Sequence, residues 1–358
     1  MLKWIKIVSS KKIYNEKTHF MARERILIIL MALFAVLLFV LNLFVGSVDI
    51  PLEEVWSVLI GEGDTVHPSW RFIILESRFP QALTASLCGA ALATGGLMLQ
   101  TVFRNPLAGP SILGVDSGAS LGVALVMLLS GGSLMAGNIA LGGFLAVIMS
   151  AFLGAMVVMG VLLFFSSLLR SDVMLLIVGV MIGYVGSSII SLLNFFSTAE
   201  GVHSYLVWGM GSFGGVSMRQ MPWFAILVLI GLVASLLMVK PLNTLLLGYQ
   251  YAGNLGVNVK RIRWYLLLVT GLLSAATTAF CGPVSFLGLS VPHMARLLLR
   301  KADHRFLMPL SLLTGASVAL LCNLFCSLPG DKGLIPLSAV TPLLGMPIIL
   351  YVLLNGRK

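Results

Sequence analysis

The sequence predicts an all-α, polytopic membrane protein of ten transmembrane helices with both termini in the cytoplasm. The first observation behind this is apolar length. Only 10% of the 358 residues are Asp, Glu, Lys or Arg, and 58% are apolar. A bilayer core of ~30 Å is crossed by about 20 apolar helical residues. Segments 26–46, 79–103 and 173–199 reach that length without a charge, and 117–169 is charge-free for long enough to cross twice. The second observation is charge asymmetry. With ten spans and cytoplasmic termini, only Arg71, Arg78, Arg219 and Lys332 of the 23 basic residues fall outside. Loops rich in Lys and Arg stay on the cytoplasmic side. The net charge of +10 is therefore a topology signal and calls for no nucleic-acid partner.

In chain order, residues 1–25 form a basic cytoplasmic tail, and residues 26–358 form one ten-span domain. Span 26–46 exceeds the ~7–15 apolar residues of a signal-peptide core, so it is read as retained. Span 80–103 ends at Asn105-Pro106. Spans 111–130 and 139–165 part at Gly131-Gly132-Ser133, and span 173–198 follows the turn Arg170-Ser171-Asp172. Span 221–239 comes next. Spans 264–281 and 284–299 part at Gly282-Pro283, and spans 306–327 and 334–354 complete the set. Broken backbone at membrane depth survives only where protein or a cavity covers it. The echo of Gly-Pro followed by Leu-Gly at 109–114 and 282–288 hints at an internal repeat of the two halves.

Many of the 37 glycines lie inside spans. Gly118-x-x-x-Gly122 and Gly179-x-x-x-Gly183 place small residues on one helix face, where backbones can approach. Cys88, Cys281, Cys322 and Cys326 lie in or at the ends of spans, which argues against a disulfide framework. Cys322 and Cys326 share a helix face and read as packed apolar thiols rather than a metal site. Two soluble-enzyme patterns fail on context. Gly209-Met-Gly-Ser-Phe-Gly214 spells a dinucleotide fingerprint, but no βαβ unit surrounds it. Gly118-Ala-Ser-Leu-Gly122 spells a nucleophile elbow inside a span, where an intramembrane protease would pair Ser120 with a residue such as His293.

One hydrophobic segment is not a span. Residues 241–259 lie between Lys240 and Lys260-Arg261-Ile262-Arg263 and carry Asn243, Tyr249, Gln250, Asn254 and Asn258. Leu247, Tyr251 and Leu255 recur every four residues, giving one apolar stripe on a short cytoplasmic helix. Such a stripe needs lipid headgroups or a docked subunit against it.

Four ordered motifs resemble the FecCD permeases of ABC importers, which serve iron–siderophore, haem and cobalamin uptake. The first is Arg104-Asn-Pro-Leu-Ala-Gly-Pro-Ser-Ile-Leu-Gly-Val-Asp-Ser-Gly-Ala-Ser-Leu-Gly122. The second is Val207-Trp-Gly-Met-Gly-Ser-Phe-Gly-Gly215. The third is Cys281-Gly-Pro-Val-Ser-Phe-Leu-Gly-Leu-Ser-Val-Pro-His-Met-Ala-Arg296, followed by Asp303-His304-Arg305, and the last is Ala339-Val-Thr-Pro-Leu-Leu-Gly-Met-Pro347. The resemblance covers about residues 26–356.

It implies a type II ABC importer permease fold in the cytoplasmic (inner) membrane, without covalent catalysis. The implied partners are a second copy of the chain, two cytoplasmic ABC ATPases and an extracytoplasmic substrate-binding protein. The substrate is a metal chelate, expected to be an iron complex (siderophore or haem), with cobalamin as the alternative. No Gly-x-x-x-x-Gly-Lys-Ser/Thr occurs in the sequence, so ATP-Mg is expected on the partner ATPase, and no cofactor or metal is expected here. The implied ATPase-coupling residues are Leu247, Gly248, Tyr249, Gln250, Tyr251, Ala252, Leu255 and Gly256. Arg170, Ser171 and Asp172 are the implied gate, and Gly179, Gly183, Gly186, Ser187 and Asn194 the implied path along span 5. Arg78, aided by Arg71, is the implied binding-protein contact.

The chain departs from the family pattern at four places. Tyr249 and Gln250 stand where an acidic pair is usual, and Gly253 where a basic residue is frequent. Gly109 replaces an Asp, and Gln81 replaces a second docking arginine. Asp116 stands where Ser is common, and it is read as a cap on a broken helix. His293 and Arg296 are read as structural. An ion-coupled secondary transporter is the alternative of another class. It needs ionisable groups at the membrane midplane, and the spans offer little beyond Asp116 and His293.

Overall fold

The structure is a computed structural model that describes residues 2–61, 67–129, 140–169, 171–328, 333 and 335–355. Among these residues the secondary structure is helical throughout, with no strand. The helices are α1 (Leu2–Phe44), α2 (Leu52–Ile60), α3 (Pro68–Phe72), α4 (Phe79–Val102), α5 (Val115–Leu129), α6 (Ala140–Leu168), α7 (Asp172–Phe196) and α8 (Ala199–Gly209). They continue as α9 (Met221–Leu237), α10 (Val239–Leu246), α11 (Tyr249–Asn254), α12 (Val259–Cys281), α13 (Leu287–Leu299), α14 (His304–Ser327) and α15 (Leu337–Asn355). Six described helices are long and apolar enough to cross a membrane, and α9 with α10 forms a further pair bent by 48°. Shorter apolar helices at Val115–Leu129, Leu287–Leu299 and Leu337–Tyr351 fall on three other expected spans. The break at Gly131-Gly132-Ser133 lies outside the described residues.

Helix α4 is the hub, buried along most of its length among α9, α12, α13 and α14. Such burial needs small residues. A Cβ on Gly89 would stand 2.1 Å from the Gly315 carbonyl oxygen, so α4 and α14 touch backbone to backbone. The Gly118-x-x-x-Gly122 pair serves the same end between α5 and α6, where a Cβ on Gly122 would lie 2.1 Å from the Ser150 carbonyl oxygen. Buried amides add polar adhesion: Gln81 donates to Asn323 at 3.0 Å, and Asn323 donates to Asn42 at 2.8 Å, joining α4, α14 and α1.

Four stretches depart from the expected span plan. The loop after α1 folds into α2 and α3; Val55 and Val58 of α2 close a small cluster with Ile50 and Ile74, against which Trp70 of α3 packs. A turn of π-helix (Ile73–Arg78) then leads into α4. Helix α8 fills part of the stretch between the expected spans 173–198 and 221–239. Segment 241–259 is two short helices rather than one, because Gly248 adopts φ +110° and ends the run of helical dihedrals.

Helices α7 and α15 pack on one side only. Tyr184, Phe195 and Phe196 of α7, and Leu343 and Leu354 of α15, are among the most exposed apolar side chains of the chain.

Candidate functional site

One end of the bundle gathers the implied coupling and gate residues. Helix α10 buries Leu242 and Leu245, and the chain then reverses at Gly248 into α11. Ala252 of α11 is buried against the bundle, whereas Leu247, Tyr251 and Leu255 are 61%, 57% and 57% exposed. Leu247 at the end of α10 and Tyr251 and Leu255 on α11 are thus exposed apolar groups on either side of the Gly248 break, with exposed Gln250 among them and Gly256 following α11 at φ +81°.

Tyr249 turns the other way, and its hydroxyl donates to the Val102 carbonyl at the end of α4. The Arg104 guanidinium lies 4.2 Å from the Tyr249 ring centre and donates to the Leu245 carbonyl at 3.3 Å. Burial, and then the Asp172 carboxylate, raise the Tyr249 phenol above its ordinary range, so it remains a protonated donor.

Of the gate turn, Arg170 lies outside the described residues. Ser171 is the N-cap of α7, accepting from the Met174 amide at 3.4 Å. Asp172 follows in the first turn, where a helix favours an anion. It pairs with Arg263 of α12 at 3.1 Å, both side chains being largely covered.

The implied path residues divide between two faces of α7. Gly179, Gly183 and Gly186 turn inward: a Cβ on Gly179 would lie 2.9 Å from Leu113 Cα, and one on Gly183 would lie 3.4 Å from Ser117 Oγ. These glycines let α7 press on α5 and the 3₁₀ turn Pro110–Leu113 rather than line an open surface. Ser187 lies on the exposed side with Tyr184, Ser188 and Ser191, and Asn194 is half-buried. Ser188 and Ser191 donate back to the carbonyls of Tyr184 and Ser187 at 2.9 and 3.0 Å. That face is mild, with hydroxyls already bonded along their own helix.

At the opposite end of α4, Arg71 is exposed, but Arg78 is only 5% exposed. Its guanidinium donates to the carbonyls of Leu43 at 2.9 Å and Phe44 at 2.8 Å, and also to Val48. Arg78 therefore closes the C-terminal end of α1, where helix carbonyls lack partners. No face of its guanidinium is presented as an open surface charge.

The other singled-out residues are structural. Asp116 lies in the first turn of α5 rather than capping it, and accepts from Ser274 and Thr278 of α12 at 3.0 and 2.9 Å. His293 Nε2 lies 2.7 Å from the Pro106 carbonyl, and Arg296 donates to Gln100. His293 Nε2 is engaged by the Pro106 carbonyl, and no Ser120–His293 hydrogen bond is found among the described residues. Cys322 and Cys326 are free buried thiols. Gly209–Gly214 forms no nucleotide cradle; Gly211 turns at φ +68° against the Pro283 carbonyl, where a Cβ would come within 3.0 Å.

Sequence reasoning missed the Tyr249–Arg104 stack, the Asp172–Arg263 pair and the Gln81–Asn323–Asn42 ladder. Each joins residues far apart in sequence, and no local spacing announces it.

Comparison with known proteins agrees with this architecture. The FecCD transport family model matches residues 33–355. The vitamin B12 import system permease protein BtuC of Escherichia coli O9:H4 is 35% identical over 299 residues, covering 84% of this chain and 89% of its own. BtuC of Shigella boydii serotype 18 is likewise 35% identical over the same shares. A solved structure assigned to the metal-chelate type of ABC transporter, in an inward-facing conformation, superposes with a TM-score of 0.78 at 29% identity. It covers 92% of this chain and 99% of its own. The family match over most of the chain and the 35% identity to its relatives agree, and the chain belongs to the FecCD transport family.

Proposed function

We propose that this protein is the membrane permease of an ATP-driven importer for a metal chelate in the cytoplasmic membrane, with cobalamin as its substrate. The observation that carries the choice of cobalamin is the 35% identity to a vitamin B12 permease across 84% of the chain. This reading replaces the sequence-based preference for an iron complex. An iron complex stays as the second reading, carried by the sequence motifs of the family; the metal-chelate type transporter that shares the fold is compatible with either substrate.

The geometry supports transport without chemistry. The outer face of α7 offers aromatic, aliphatic and self-satisfied hydroxyl groups, which suit a bulky ligand passing between two copies of the chain without tight binding. The unpartnered faces of α7 and α15 are where the second copy sits. The exposed group of Leu247, Tyr251 and Leu255 is the seat of a cytoplasmic ATPase, an uncharged contact in keeping with Tyr249 and Gln250 at the usual acidic positions. Exposed Arg71, rather than enclosed Arg78, is the better placed of the two for the binding protein. ATP moves the equilibrium between two packings only through contacts that differ between them.

The test is competitive uptake. Liposomes carrying the permease, its ATPase and its binding protein should accumulate labelled cobalamin, and unlabelled cobalamin should compete where haem or a ferric siderophore does not. Preferential competition by a ferric siderophore or haem moves the assignment to the iron reading.

A further inference from the structure

Helices α6 and α9 both pack on α12 and leave between them a groove of about 690 Å³. That volume falls within the roughly 300–1,000 Å³ of small-ligand sites. One wall is α6, with Leu145, Met149 and Phe152, and the other is α9, with Trp223 and Leu227; Phe280 of α12 lies between them. Leu145 and Trp223 are 61% and 69% exposed, so the groove opens to the outside of the bundle. No residue of α7 or α15 lines it, which sets it apart from the face assigned to the second copy. Its mouth offers donors and no acidic group: Ser217, Arg219 and Gln220 line it, and no Asp or Glu does. The Ser217 amide donates to Gln220 Oε1 at 3.0 Å, and the Gln220 amide donates back to the Ser217 carbonyl at 2.9 Å. This exchange fixes the turn that leads into α9 and leaves the Gln220 Nε2 donor over. Arg219 is exposed and has no ion-pair partner among the described residues.

We propose that this groove binds one anionic glycerophospholipid, its phosphate on Arg219 and the Gln220 side-chain amide and one acyl chain between α6 and α9. A mouth of donors around a guanidinium suits a phosphate, which takes charge-assisted hydrogen bonds. The start of α9 adds the positive end of a helix dipole. The amides of Met221, Trp223 and Phe224 are already taken by the carbonyls of Ser217 and Gln220, so recognition falls to Arg219 rather than to free backbone. The apolar walls suit a hydrocarbon chain, and Trp223 beside the mouth is the amphipathic ring expected at headgroup level. A soluble anion gains nothing from those walls. A zwitterionic lipid brings its own cation beside the phosphate and competes less well for Arg219. On the expected topology Arg219 lies outside, so the lipid comes from the outer leaflet. Bound there, it ties α6 to α9 and rests on Phe280, two residues before α12 stops at Gly282.

The test uses the purified full-length chain in phosphatidylcholine liposomes that carry rising fractions of brominated phosphatidylglycerol or brominated phosphatidylcholine. Bromine on an acyl chain quenches a tryptophan that it touches. The difference between the unmutated chain and Trp223→Phe therefore isolates the signal from the groove. Phosphatidylglycerol should reach half-quenching at about a fivefold lower fraction than phosphatidylcholine, the factor that one basic group near an anionic lipid surface supplies. Arg219→Gln should remove that preference, and Arg219→Lys should keep most of it. Raising salt should shrink the preference in the unmutated chain, which tests the charge without any substitution. Inorganic phosphate should compete no better than chloride at the same ionic strength, because it has no chain to place. Equal quenching by the two lipids in the unmutated chain overturns the proposal and leaves ordinary bilayer contact. A preference that survives Arg219→Gln overturns it too, as does one that inorganic phosphate erases, which marks a site for a free anion. Quenching of the Trp223 signal by neither lipid also overturns it, and means that a second copy of the chain covers the groove.

Discussion

Replacing Arg78 by alanine tests whether its charge serves the fold or a surface. The guanidinium donates to three carbonyls around the end of α1, and Leu43 beneath it is 4% exposed. A hydrogen bond from a charged donor contributes roughly 1.5–3 kcal/mol. The Val48 carbonyl, on a residue 43% exposed, regains water after the substitution, so two bonds count in full. At the low end of the range the loss is about 3 kcal/mol. At roughly 2 °C per kcal/mol, the value for larger domains, thermal unfolding of the purified permease should fall by about 6 °C. Arg78→Lys restores the charge without the planar fork and should recover part of that loss. Arg78→Glu should be worst, since it sets an anion against the negative end of a helix. Salt should not imitate these effects, because a covered guanidinium on carbonyls is poorly screened. The assay is thermal unfolding in detergent at two ionic strengths, run beside binding-protein affinity. Unchanged unfolding in Arg78→Ala together with a salt-sensitive loss of affinity refutes the reasoning and makes Arg78 a docking charge.

Three further outcomes are expected. Leu255→Glu places a charge in the exposed apolar group and should abolish co-purification of the ATPase without changing thermal unfolding. Gly248→Ala should lower stability by about 1–3 kcal/mol, because φ +110° strains any residue with a Cβ; a gain in thermal stability contradicts this. Gly248→Glu is for the same reason an unclean probe of the ATPase seat. Ser120→Ala should leave uptake close to that of the unmutated protein, since His293 is engaged by the Pro106 carbonyl rather than by Ser120; complete loss with normal assembly returns the protease reading.

The sequence makes some of this visible and hides the rest for physical reasons. Spans are legible because each must be long, apolar and uncharged to cross a bilayer, and that signal is local. The pairing of Tyr251 with Leu255 is legible because a four-residue period fixes one helix face, whereas Leu247 falls across the break at Gly248. The break itself is not legible, since spacing alone does not reveal that Gly248 takes a left-handed dihedral. The fates of Gly179, Gly183 and Gly186 depend on which neighbour α7 presses against. A small residue signals close approach and not its partner. Arg78 shows the same limit: an arginine in a loop reads as exposed until the end of α1 is seen to need its donors. The Asp116 carboxylate reads as a cap from its place at a helix start, but Ser274 and Thr278 of a distant helix claim it.

The central claim is that this chain moves its substrate by conformational change driven by a partner ATPase. The direct measurement is cobalamin uptake into liposomes carrying the permease and binding protein, with and without the ATPase, under ATP or under an imposed proton or sodium gradient. The account predicts uptake only when ATPase and hydrolysable ATP are both present, and none from a gradient alone. Uptake driven by an ion gradient without the ATPase contradicts it.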